Sequence, residues 1–120
     1  MFSIAALDGA ALLFISGEID ISNKEQLELA LHKGLAQDSS TFIANLLDVT
    51  YADSTCIHAL HQAQRTAQRM NKTLVIVVRD GGGLQKILRI AGVLEVLNIC
   101  YSLDDALVVR PDGEPTSGYG

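Results

Sequence analysis

Apolar residues in this chain fall into short runs whose period changes from element to element. Phe2–Leu7 and residues 11–16 are two apolar runs separated by Asp8-Gly9, a strong hairpin signal. Ser22 is followed three residues later by Glu25, the capping-box spacing, and Leu27, Leu31 and Leu35 then recur every fourth residue. That pattern predicts an amphipathic helix over residues 22–36. Residues 41–47, Thr-Phe-Ile-Ala-Asn-Leu-Leu, form a nearly continuous apolar run suited to a buried strand. A loop over residues 48–53 is predicted to enter a second helix, residues 54–70. Cys56, Leu60, Ala63, Ala67 and Met70 trace its apolar face, with His58, His61, Gln62, Arg65 and Arg69 on the others.

Residues 73–78, Thr-Leu-Val-Ile-Val-Val, are β-branched almost throughout and predict the clearest strand. The triplet Gly81-Gly82-Gly83 opens a short helix carrying Leu84, Ile87, Leu88 and Ala91, and Gly92 stands where a C-terminal glycine stop is expected. Residues 95–100 predict a last strand. Ser102 is placed to cap a final helix through Val109, with Asp104 and Asp105 in its first turn, where the helix dipole favours them. The order is β-β-α-β-α-β-α-β-α. Strand and helix alternate after the opening hairpin, which demands an α/β sheet with parallel pairs and right-handed crossovers. Residues 111–120 are polar and turn-rich, lack material for a core, and are expected to form a flexible tail after a domain spanning residues 1–110.

Composition narrows the picture. A chain of 120 residues, 48% hydrophobic and 19% charged, can bury one core and has no room for a second. Its net charge is −5, and the nine Lys and Arg are scattered singly. Binding to nucleic acid or to an anionic membrane surface draws on clustered cations, so neither is expected. No stretch approaches the ~20 apolar residues of a membrane span. Cys56 and Cys100 have no metal or redox spacing, and the N-terminus lacks the charged and apolar regions of a signal peptide. The expectation is a cytoplasmic protein with reduced thiols and no membrane insertion.

Catalytic signatures are missing: there is no phosphate-binding glycine loop with its Lys, no dinucleotide fingerprint, no nucleophile elbow and no zinc-protease helix motif. The expectation is a binding protein that is not an enzyme and needs no cofactor. The glycine triplet reads as a strand-to-helix turn. His58 and His61 with Cys56 lack the converging ligands a metal requires, so no metal site is assigned and a solvated helix face is preferred. Cys56 at a helix start is either a thiol of lowered pKa or a small buried apolar residue, and the second reading is preferred. Asp53-Ser54-Thr55 has a sufficient structural explanation, since Asp is a preferred N-cap and Ser and Thr are common in a first turn. Its functional reading is an exposed Ser54 on the loop entering the helix. There a phosphate would meet free N–H groups and the positive end of the dipole.

Three segments resemble one family, the STAS domains, and within it the anti-sigma factor antagonists. They are Ile15-Ser16-Gly17-Glu18-Ile19-Asp20, the run from Leu47-Asp48 to Asp53-Ser54-Thr55, and Leu88-Arg89-Ile90-Ala91-Gly92-Val93 with Asp105-Ala106-Leu107. The resemblance spans residues 3–109. It implies a mixed four- to five-stranded sheet with helices packed mainly on one side. It implies further that Ser54 is the phosphorylation site, with Asp20, Asp53, Thr55 and Cys56 as its neighbours or partner-binding residues. The unmodified protein would bind a serine kinase that doubles as an anti-sigma factor, and a protein phosphatase would reset the switch. Cys56 departs from the family pattern, where a Gly follows the Ser-Ser/Thr pair. The alternative that the resemblance leaves open is a STAS regulatory subunit of a lipid-transporting ABC transporter.

Overall fold

The computed structural model describes residues 1–7 and 9–108. Asp8 of the predicted hairpin turn, Val109 at the predicted end of the last helix, Arg110 at the predicted domain boundary, and the 111–120 tail lie outside the described residues. Ten elements follow in chain order: β1 (Phe2–Leu7), β2 (Ala10–Ile19), a 3₁₀ turn (Ile21–Asn23), α1 (Lys24–Leu35), β3 (Thr41–Ala52), α2 (Ser54–Arg69), β4 (Thr73–Val77), α3 (Gly83–Ile90), β5 (Asn98–Cys100) and α4 (Leu103–Leu107). One five-stranded sheet has the spatial order β1-β2-β3-β4-β5, with β1 antiparallel to β2 and every other pair parallel. This is the expected mixed α/β sheet.

The strands read as continuous apolar runs because both faces of the sheet centre are covered. Ile15, Phe42, Ala44, Leu46, Leu74 and Ile76 point to the face packed by α1, α2 and α3, where Leu27, Leu31, Leu60 and Leu88 close the main core. On the opposite face Leu12, Ile43, Val75 and Val77 lie under the short α4 through Ala106. Three of the four α-helices therefore share one side.

Local chemistry sets the helix ends. Asn71 sits at φ 57 just past α2, and the Lys72 N–H donates to the Ala67 carbonyl at 2.8 Å, a left-handed stop that asparagine tolerates. Gly92 at φ 76 ends α3 in the same way, as its position predicted. Lys72 also ties two elements together: its Nζ donates to the carbonyls of Leu35 and Gln37, both at 2.6 Å, where α1 ends. Where α1 crosses β3, Gly34 lets the helix backbone approach the fully buried ring of Phe42.

Four boundaries differ from the sequence reading. The capping box belongs to Asp20 and Asn23, not Ser22 and Glu25: Asp20 accepts from Ser22 N–H at 2.9 Å and Asn23 Oδ1 accepts from Asp20 N–H at 3.0 Å. A 3₁₀ turn thus precedes α1, which starts at Lys24. The predicted loop 48–53 is mostly strand, since β3 runs on to Ala52 by pairing with β2 across two register shifts. Polar residues are accommodated there because pairing outlasts the buried part of the sheet. Conversely, β5 keeps only three of the six residues expected, and Met70, predicted apolar-face, caps α2 in the open.

Candidate functional site

The C-terminal ends of β2 and β3 and the first turn of α2 meet at one corner of the sheet. The extension of β3 that sequence missed is what brings them there. Gly17, at φ 88, supplies the left-handed backbone that the shifts in the β2–β3 ladder require. After the last pair, Ile19 with Ala52, the Asp53 N–H donates to the Ile19 carbonyl at 3.3 Å. That bond sets Asp53 directly beside the backbone that continues into Asp20, so the two acidic residues share this end of the sheet.

Asp53 is the N-cap of α2. Its carboxylate accepts from the Thr55 N–H at 2.9 Å, and its carbonyl accepts from the Cys56 N–H at 3.1 Å. Ser54 is the first helical residue; its side chain is exposed and makes no hydrogen bond with any described residue. Two of the N–H groups that an added anion was expected to meet are thus already occupied by Asp53. Thr55 is half-buried. Asp20 is partly exposed and turned toward its own cap, and the Ser22 hydroxyl and N–H hold its carboxyl below the usual range.

Cys56 is fully buried, and burial, with a smaller contribution from the Asp53 carboxylate, pushes its thiol up to about 12. A thiol so disfavoured as thiolate is a packing residue, in line with the preferred sequence reading. It belongs to the main core with Leu60 and Ile19. His58 is exposed and His61 half-buried on α2, and among the described residues no three His, Cys, Asp or Glu converge as a metal would require.

Beside Ser54, a shallow groove between α2 and the end of α3 is lined by Ile57, His58, His61, Gln62, Ala91 and Val93. Ile90, the last residue of α3, is 79% exposed. The sequence reading did not single out this surface.

A family model for the STAS domain matches residues 2–106. The chain belongs to the STAS domain family. Solved structures agree in fold. An anti-sigma factor antagonist from Mycobacterium paratuberculosis superposes with a TM-score of 0.80 at 21% identity, covering 89% of this chain and 90% of that one. The anti-sigma factor antagonist SpoIIAA in its unphosphorylated form gives 0.69 at 15% identity, covering 94% and 97%. A sulfate transporter family protein from Wolinella succinogenes gives 0.69 at 21% identity, covering 86% and 85%. The Bacillus cell-fate determinant SpoIIAA in its phosphorylated form also matches, at 0.65 and 15% identity over 87% and 93%. No curated protein matches the sequence significantly. No described helix of this STAS domain is long and apolar enough to cross a membrane.

Proposed function

We propose that this STAS domain is an anti-sigma factor antagonist that works by partner switching, with Ser54 as the phosphate acceptor. The observation that carries the reading is the exposed, hydrogen-bond-free Ser54 hydroxyl at the first turn of α2, directly after its Asp53 cap. A kinase can reach such a hydroxyl without unfolding anything. A phosphate there adds nearly two negative charges at a surface whose neighbours, Asp53 and Asp20, are already acidic. The unmodified face offers a partner the groove between α2 and the end of α3, where Ile57, Ala91 and Val93 alternate with His58, His61 and Gln62. The expected partner is a serine kinase that is itself the anti-sigma factor, with a protein phosphatase to reverse the modification. The domain itself contributes binding and no catalysis, and it acts in the cytoplasm. The solved structure of a neighbour in a phosphorylated form supports the reading.

The test is affinity capture from the native cell extract, followed by incubation with ATP and phosphopeptide mapping. Ser54→Ala should fold, hold the captured kinase and take up no phosphate. Ser54→Asp should fold and bind at least about ten-fold more weakly, since a poorly compensated charge at an interface costs more than the ~1.4 kcal/mol that a factor of ten represents. Equal binding by all three forms with no phosphate on Ser54 overturns the proposal. Capture of a transport ATPase instead would replace it with the transporter-subunit reading.

A further inference from the structure

The charges on α2 have one sign. Over its 16 residues it carries Arg65 and Arg69 and no carboxylate. The chain as a whole leans the other way, with 14 Asp and Glu against nine Lys and Arg. α1, by contrast, mixes Lys24 and Lys33 with Glu25 and Glu28. A surface helix is steadied by a carboxylate one turn before a cation, and slightly disfavoured by a like charge there. One turn before Arg69 stands Arg65, and one turn before Arg65 stands His61. Arg69 donates to the Thr66 hydroxyl at 3.2 Å, and neither Arg is in an ion pair with a described residue.

Ser54, His58, His61, Arg65 and Arg69 follow one another at three- or four-residue spacing, so they form one ridge of α2. All are exposed except the half-buried His61. His58 and His61 also line the groove whose apolar part is Ile57, Ala91 and Val93. The ridge is therefore graded: Asp53 and Ser54 at one end, two imidazoles beside apolar groove in the middle, two guanidiniums at the other end. The isolated domain gains nothing from this gradient. A ligand with carboxylates opposite Arg65 and Arg69 and apolar side chains opposite the groove turns the repulsion into attraction. A phosphate polyanion fits less well. Two Arg are few for it, the net charge of −5 opposes its approach, and it has nothing to set on Ile57, Ala91 and Val93.

We infer that the α2 ridge receives an acidic, amphipathic segment of a partner protein, its apolar residues on the Ile57–Ala91–Val93 groove and its carboxylates on Arg65 and Arg69. This rests on the proposed function in one respect, that the α2–α3 groove is the docking face. Arg65 lies about 16 Å along the helix from Ser54, beyond the screening length of about 8 Å at physiological ionic strength. Charge on Ser54 therefore acts at one end of the contact, and Arg65 holds the other whatever the state of Ser54.

Random displayed peptides of about 16 residues, selected on the full chain, test the surface without knowledge of the partner. The selected peptides should combine Asp or Glu with large apolar residues. Arg65→Glu should weaken their binding about ten-fold or more and Arg65→Lys by less than about three-fold. Lys33→Glu, the same change of charge on α1, should leave binding within about two-fold, and thermal unfolding should show all three variants folded. Ser54→Asp alone and with Arg65→Glu completes the set on the same peptides and on the captured kinase, and the double variant should show about the product of the two losses. Selected peptides that are basic or uncharged, binding indifferent to Arg65→Glu, an equal loss with Lys33→Glu, or a double variant no weaker than either single overturns the assignment. So does binding to phosphatidylserine vesicles or single-stranded RNA that Arg65→Glu abolishes, which would give the ridge to phosphates. Loss with Arg65→Glu but none with Ser54→Asp keeps the ridge and removes the Ser54 switch; the opposite result keeps the switch and removes the ridge.

Discussion

Replacing Gly34 by alanine sets two opposing effects against each other. In an exposed helix interior the exchange stabilises by about 1 kcal/mol, because alanine loses less backbone freedom on folding. At Gly34 the added Cβ would stand 2.2 Å from both Cε1 and Cζ of Phe42, and 2.9 Å from its Cδ1. Carbon atoms prefer about 3.5–4.0 Å, so the ring or the helix must yield by more than 1 Å. Phe42 has no exposed surface and lies in the main core among α1, β2 and β3, so the ring has nowhere to go. Overpacking of a closed core costs about 3 kcal/mol at this severity, and the net destabilisation is about 2 kcal/mol. For a domain of this size that lowers Tm by about 8–12 °C. Thermal and urea unfolding of Gly34→Ala measure it, and Phe42→Leu identifies the clash. The double variant should be at least about 1 kcal/mol more stable than the sum of the two singles predicts. A Gly34→Ala protein as stable as the parent, or more so, would refute the tight crossing of α1 over β3.

Lys72→Met keeps the aliphatic stem but leaves the Leu35 and Gln37 carbonyls without their charged donor, and should cost about 1–3 kcal/mol in urea unfolding. An unchanged midpoint would mean that water replaces the ammonium at no cost. Thiol labelling of the native protein should modify the half-buried Cys100 and spare Cys56 until the chain unfolds. The Cys56 thiol titrates at 9.0 when unfolded and near 12 when folded, so its contribution is fully present below pH 9 and is lost as pH rises toward 12. Cys56→Ala should therefore flatten the alkaline fall in stability, and an unaltered profile would count against the burial.

The order and type of every strand and helix were legible because the apolar periods were clean: Leu27, Leu31 and Leu35 all reached the core, and so did the β-branched run of β4. Ends were less legible where hydrogen bonding, not burial, decides them. Ser22 and Glu25 matched the capping pattern, yet Asp20 took the role. An extended backbone at Asp20 (φ −146) could aim its carboxylate at the turn, and no local pattern reveals that. The C-terminal half of β3 was read as loop because Asp48, Thr50 and Tyr51 face water, whereas its partner strand β2 continues alongside. At the site, the exposure of Ser54 and the burial of Cys56 agree with the sequence reading. The groove beside them depends on where α3 ends against α2, a tertiary relation that no single segment encodes.

The Asp53 cap bears on how a signal at Ser54 would be stored. Its carboxylate and carbonyl already take the Thr55 and Cys56 N–H groups, so the helix end has little left to offer a newcomer anion. A phosphoryl group on the reading proposed above would be neither clasped nor expelled by the domain that carries it. Both chemical states would then have nearly equal folding free energy. The proportion of the two would follow from the rates of the enzymes that write and erase the mark, with no memory held in the fold itself.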